Sequence, residues 1–166
     1  MVVALAATIA TYFTKLLKGE DREGYLNAIK DEHKSFIDKD VYSVLNEDQL
    51  NGKKTIPIKV ILNKKTDSNG QLLKYKARFV CQGFRQIPGV DFDPFEITSS
   101  VCRLETLRLL IAIPTILNLD IEQYDVSTAF LNSVIKKDVV VKPPKDLLKI
   151  LGLKENQYWK LKKTVQ

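Results

Sequence analysis

Leu73-Lys74-Tyr75-Lys76-Ala77-Arg78-Phe79-Val80-Cys81 alternates apolar and polar side chains with a period of two, the pattern of a half-buried β-strand. Ile56, Ile58, Val60 and Leu62 alternate in the same way upstream, and Asp67-Ser68-Asn69-Gly70 lies between the two runs. Asn-Gly accepts the positive φ angles of a tight turn, so the stretch predicts a β-hairpin. Pro57 cannot donate to a ladder, which predicts an edge position for the first strand. In the second strand Lys74, Lys76 and Arg78 share the face opposite the apolar set. Lys53 to Arg85 carries nine Lys and Arg against one acid, Asp67. Such a stripe is either a solvated outer face or a flap that binds a polyanion, and the hairpin alone does not decide.

Helical and extended signals surround the hairpin. Glu23 to Asp38 predicts an amphipathic helix, with Tyr25, Ala28, Ile29, Phe36 and Ile37 near one stripe. His33 lies off that stripe and reads as a solvated surface residue. Val41 to Leu45 predicts a short strand, and residues 86–101 a loop. Leu104, Leu107, Leu110 and Ile111 outline a second helix that Pro114 should kink or end. Ile121 to Val126 reads as a strand, Ser127 to Ser133 as a turn into a short helix. Val139 to Val141 and Gln157 to Leu161 complete the strands. Helices interspersed with hairpins predict an α+β fold of antiparallel strands and flanking helices.

Bulk properties narrow the class. With 166 residues, 45% of them apolar, one domain can bury a real core. A net charge of +6 is compatible with nucleic acid, and equally with a soluble surface. The single His, and two Cys without C-x-x-C spacing, argue against a zinc site. Cys81 and Cys102 read as reduced, core-leaning thiols of an intracellular protein, cytoplasmic or nuclear. Met1 to Ala10 is almost wholly apolar. It is shorter than the roughly 20 residues of a membrane span and has no preceding cations, so no membrane association is expected. A frayed or docked N-terminal helix is expected instead.

Asp125 ends the apolar run Ile121 to Val126, with Phe130 five positions later. A carboxylate delivered by a strand to an open cleft can hold a divalent metal, and the hairpin cations suit a phosphate. Together they suggest nucleotide chemistry. Taken alone, an Asp at a strand end is more often a turn or cap, and Phe130 and Leu131 would serve any core.

The order of motifs resembles the reverse transcriptase of copia-type retrotransposons. The matching elements are Tyr75-Lys76-Ala77-Arg78, then Gly83-Phe84-Arg85-Gln86-Ile87-Pro88-Gly89, then Asp91-Phe92. Arg103-Leu104-Glu105-Thr106-Leu107-Arg108 and Gln123 through Leu131 follow in the same order. The resemblance implies an apolar N-terminal extension over 1–18, then the fingers and an incomplete palm over 19–166. The implied activity is RNA-directed DNA polymerisation (template-directed nucleotidyl transfer). Its implied requirements are Mg2+, deoxynucleoside triphosphates and an RNA or DNA template-primer. Asp125 matches the first catalytic, metal-binding aspartate, and the Val126 backbone carbonyl would add an oxygen ligand. Arg78, with Lys64 or Lys65 across the hairpin, matches the cations that hold the incoming triphosphate. Phe130 matches the aromatic beneath the incoming sugar, and Lys74 and Lys76 fall where a nucleic-acid backbone would run.

The family's second acidic motif, an Asp-Asp pair, is absent from the 166 residues. The chain alone is therefore expected to be inactive without a C-terminal polymerase half. A non-catalytic nucleic-acid-binding module retaining the basic hairpin is the alternative reading. An interaction protein unrelated to polymerases requires the motif order to be chance.

Overall fold

The computed structural model describes residues 19–95, 101–126 and 128–165. The expected N-terminal helix, part of the expected 86–101 loop and Ser127 lie outside them. The order of elements is α1 (Arg22–Asp38), β1 (Tyr42–Asn46), β2 (Thr55–Thr66), β3 (Leu72–Cys81), α2 (Leu104–Leu117), β4 (Val140–Lys142), α3 (Lys145–Ile150) and β5 (Gln157–Leu161). The strands form one sheet in the order β1-β5-β4-β2-β3. All neighbours are antiparallel except β2 and β4, which run parallel. The fold is α+β, as the sequence predicts.

The hairpin forms where the alternation and the Asn-Gly pair place it. Its ladder runs from Ile58↔Cys81 to Thr66↔Leu72. The turn closes locally, because the Asp67 carboxylate accepts the Asn69 and Gln71 backbone N–H groups at 2.9 and 2.8 Å. Gly70 supplies the positive φ of +79°. Pro57 does not mark an edge, because β2 lies inside the sheet between β4 and β3. Its carbonyl accepts the Gln82 N–H just beyond the last ladder pair. The donor that proline lacks thus falls where the β3 ladder has already ended.

One apolar stripe of α1, formed by Tyr25, Ala28, Ile29, His33 and Phe36, is buried. The centre of the core is aromatic. Trp159 of β5 is fully buried and stacks on Tyr42 at 4.3 Å, with Phe36 and Phe79 each 6.3 Å away. His33 is not the solvated, off-stripe residue expected from the sequence, since it follows Ile29 by four positions and precedes Phe36 by three on the buried stripe. It is buried, stacks on Trp159 at 5.8 Å, and its Nε2 lies 2.7 Å from the Tyr42 hydroxyl.

Burial lowers the pKa of His33 from its ordinary value of 6.5, since a charged ring loses its water there. The unfolded chain therefore binds the proton more readily, and His33 contributes stability that is present above 6.5 and lost as pH falls. Urea midpoints measured between pH 7.5 and 5.5 should decline, and His33→Gln should flatten that decline. Glu32 next to it has the opposite sign, its pKa being raised chiefly by burial. An equal slope in the variant would assign the pH response elsewhere.

Three further expectations change. Pro114 does not end α2, which runs to Leu117 before Asn118 adopts the left-handed conformation at φ 52°. The lost backbone donor is tolerated beside two supplementary bonds, Thr115 Oγ1 to the Ile111 carbonyl and Leu119 N–H to the Pro114 carbonyl. No residue of α2 is buried. Residues 121–126 form no strand, since they pair with neither open edge of the sheet, β1 or β3. Cys102 is exposed rather than core-leaning, whereas Cys81 is half-buried and its thiol is pushed up to about 12 by burial. No helix among the described residues is long and apolar enough to cross a membrane.

Candidate functional site

Pairing partners in an antiparallel ladder share a face. The register therefore sets Lys59, Lys65, Lys74, Lys76 and Arg78 on one face of the hairpin, with Lys65 directly opposite Lys74. Two like charges facing each other are unfavourable without an anion between them. Lys65 and Lys74 are exposed, while Lys76 and Arg78 are half-buried. Glu32 of α1 approaches the β3 edge, where the Phe79 N–H and the charges of Lys76 and Arg78 counter the effect of its burial. One carboxylate thus serves two cations, and the face keeps a positive excess.

Lys64 belongs to the other face. It pairs with Tyr75 in the ladder, its Nζ is 2.5 Å from Asp21, and it lies 5.9 Å over the Tyr75 ring. The Tyr75 hydroxyl donates to the second oxygen of Asp21 at 2.5 Å. Lys64 and Tyr75 together hold that carboxyl below the usual range, with Lys64 the larger cause. Tyr75 also packs edge-on against Tyr25 at 4.8 Å and lies flush on Gly24. The tyrosine of the Tyr-Lys-Ala-Arg motif is thus an anchor between hairpin and α1. Sequence pattern gives its face but not this partner, because Asp21 and Gly24 lie outside any motif.

The acidic side of the site is built differently. Asp125 and Val126 are exposed, in backbone that belongs to neither helix nor strand. Among the described residues no ion pair joins Asp125 to a hairpin cation, and no group of three His, Cys, Asp or Glu side chains clusters as a metal would require. Phe130 lies in a 3-10 turn over Ala129–Asn132 and is 54% exposed. The turn is oriented by Leu131, which is buried, and by Ser133 N–H and Thr164 Oγ1, which both donate to the Phe130 carbonyl. Asp91 of the Asp-aromatic pair is a loop fastener, accepting from Ile87 N–H at 2.7 Å and Lys54 Nζ at 2.6 Å. Lys54 foremost, then that N–H, holds its carboxyl below the usual range.

The structure thus shows a cationic hairpin face at one side of an α+β sheet. The family described as reverse transcriptase (RNA-dependent DNA polymerase) matches residues 39–166, and the chain belongs to that family. It is similar to the retrovirus-related Pol polyprotein from transposon TNT 1-94 of Nicotiana tabacum, 30% identical over 130 residues, which covers 78% of this chain and 10% of that protein. It is also similar to the Pol polyprotein from transposon RE1 of Arabidopsis thaliana, 36% identical over 84 residues, or 51% of this chain and 6% of that one. The chain thus spans about a tenth or less of the curated relatives it matches. These matches bear out the copia-type resemblance, and the chain is a segment of a retrotransposon reverse transcriptase. No solved structure matches it.

Proposed function

We propose that residues 19–166 form the fingers and the first part of the palm of an RNA-directed DNA polymerase. The supporting observation is the cationic hairpin face, which lies within the family-matched span. Lys74 and Lys76 hold the template-primer backbone through sequence-blind attraction. Arg78 and Lys65, which share that face, take the triphosphate of a deoxynucleotide, the guanidinium by its fork. Lys64 fits this role less well than Lys65, because its ammonium is already satisfied by Asp21. Phe130, turned outward by its buried neighbour Leu131, offers a flat surface to the incoming sugar.

Asp125 and the Val126 carbonyl are hard oxygen donors, exposed and suited to Mg2+, which takes one or two carboxylates alongside waters and substrate phosphates. They fit as part of a ligand set. Bound there, the ion would neutralise charge developing on the transferred phosphoryl group. The 166 residues contain no Asp-Asp dipeptide, so the chain alone is expected to bind template-primer without extending it.

Filter binding of a primer-template duplex across a salt series tests the proposal. Affinity should fall linearly on logarithmic axes, and the Lys74→Ala, Lys76→Ala, Arg78→Ala triple variant should reduce the slope by about two to three. The same variant should weaken binding by at least about tenfold at low salt. An undetectable affinity at low salt, or an unchanged slope, would sink it.

A further inference from the structure

Helix α2 has the composition of a core element and the exposure of a surface one. Eight of its fourteen residues are Leu or Ile, yet none is buried, and Ile116 and Leu117 are 81% and 61% exposed. Val101 before it, and Leu119 and Ile121 after it, are exposed as well. A helix apolar around most of its circumference belongs between other elements. Soluble chains rarely leave an apolar patch of more than a few hundred Å² in water. Among the described residues, no element packs over α2 closely enough to bury a single side chain.

Its charges are divided between the two ends. Arg103 and Arg108 outnumber Glu105 in the N-terminal half, whereas Asp120 and Glu122 follow the C-terminal end, with no Lys or Arg from 109 to 126. A surface of this pattern is complementary to itself when turned end for end. Antiparallel pairing sets the cationic start of one helix beside the acidic end of the other, twice over by symmetry, and it also opposes the helix dipoles. Parallel pairing would bring like charges together. With the twofold axis between Leu110 and Ile111, Leu104 faces Leu117 of the second copy and Leu107 faces its Pro114. Arg103 then falls opposite Asn118, two residues from Asp120. A lipid surface suits the helix less well. Interfacial helices carry Lys and Arg on their polar side, whereas the polar residues of α2 are Glu105, Thr106, Arg108 and Thr115, with no cationic excess.

We propose that α2 is a self-association surface, through which two copies of this chain pair antiparallel about a twofold axis. The proposal is independent of the hairpin face and of the polymerase reading. A helix about 21 Å long gives a small contact, so the dimer should be weak and should dissociate on dilution. No residue of α2 belongs to the core cluster, so its variants should keep the parent fold, which circular dichroism checks.

Sedimentation velocity of the full 166-residue chain over a concentration series tests it. The parent should pass from monomer to dimer and stop there. Leu110→Glu puts a carboxylate at the axis and should abolish the dimer. Asp120→Arg sets like charges against Arg103 at both ends of the contact, and should raise the dissociation constant by about tenfold or more. Adding Arg103→Glu reverses the pair and should restore the parent value. A parent that stays monomeric at every concentration overturns the proposal and leaves α2 to a segment of a longer polyprotein. An Asp120→Arg variant that associates like the parent, or a double variant no tighter than the single one, overturns it too. Association that runs past the dimer without limit overturns it as aggregation.

Discussion

Trp159→Ala is expected to lower the stability of the chain by about 3–5 kcal/mol, the range for removing a large aromatic from a packed core. Trp159 is fully buried on β5 and meets the rings of His33, Phe36, Tyr42 and Phe79. Those partners come from α1, β1 and β3, so the cavity would loosen several junctions together. Small domains hold about 5–15 kcal/mol in total, and such a loss leaves little. Trp159→Phe should do less harm than its lost volume suggests. Among the described residues the indole Nε1 has no hydrogen-bond partner, and the substitution removes that orphan donor. Urea denaturation followed by circular dichroism separates the two variants. An alanine variant within about 1 kcal/mol of the parent would show that the aromatic cluster is not the core's centre.

Gly24→Ala is expected to destabilise by about 1–3 kcal/mol, the usual penalty for forcing a carbon into filled space. An added Cβ would lie 2.2 Å from two Tyr75 ring carbons and 2.8 Å from Cγ. Because Cγ is also in the way, a small ring rotation cannot clear the clash. Tyr75 must change rotamer and give up Asp21. Elsewhere in a helix the same substitution stabilises by about 1 kcal/mol, since alanine has less backbone freedom to lose. The sign should therefore reverse in a Tyr75→Ala background. Denaturation of the parent, both single variants and the double variant completes the cycle. Additive effects would show that the ring does not need glycine beneath it.

Local rules recovered the parts of the fold with local causes. The hairpin follows from alternation and an Asn-Gly turn, and α1 and β5 from their apolar spacing. Features set by distant partners were hidden. His33 is buried only because Tyr42 and Trp159 cover it, and Trp159 lies far along the chain. Pro57 was misplaced because β4, which makes β2 an interior strand, is some 85 residues downstream. Residues 121–126 have the composition of a strand but pair with neither open edge of the sheet. The cationic face was legible from period two alone, yet separating Lys65 from Lys64 required the register. The family motifs marked Asp125, whose role is proposed, whereas Asp21, Gly24 and Glu32 carried no sequence signal.

The strand order has a kinetic consequence. β2 and β3 meet across a short turn, so that ribbon can form within microseconds of emerging from the ribosome. β1 has no partner until Leu161 arrives opposite Tyr42. At roughly 5–20 residues per second, synthesis takes on the order of 4–16 s to travel from the end of β3 to the end of β5. For that interval the nascent chain carries a finished ribbon and an orphaned strand, and long-range closure of this kind is slow even once synthesis is complete. Arrested ribosome–nascent-chain complexes should show early protection of residues 56–81 and late protection of residues 42–46.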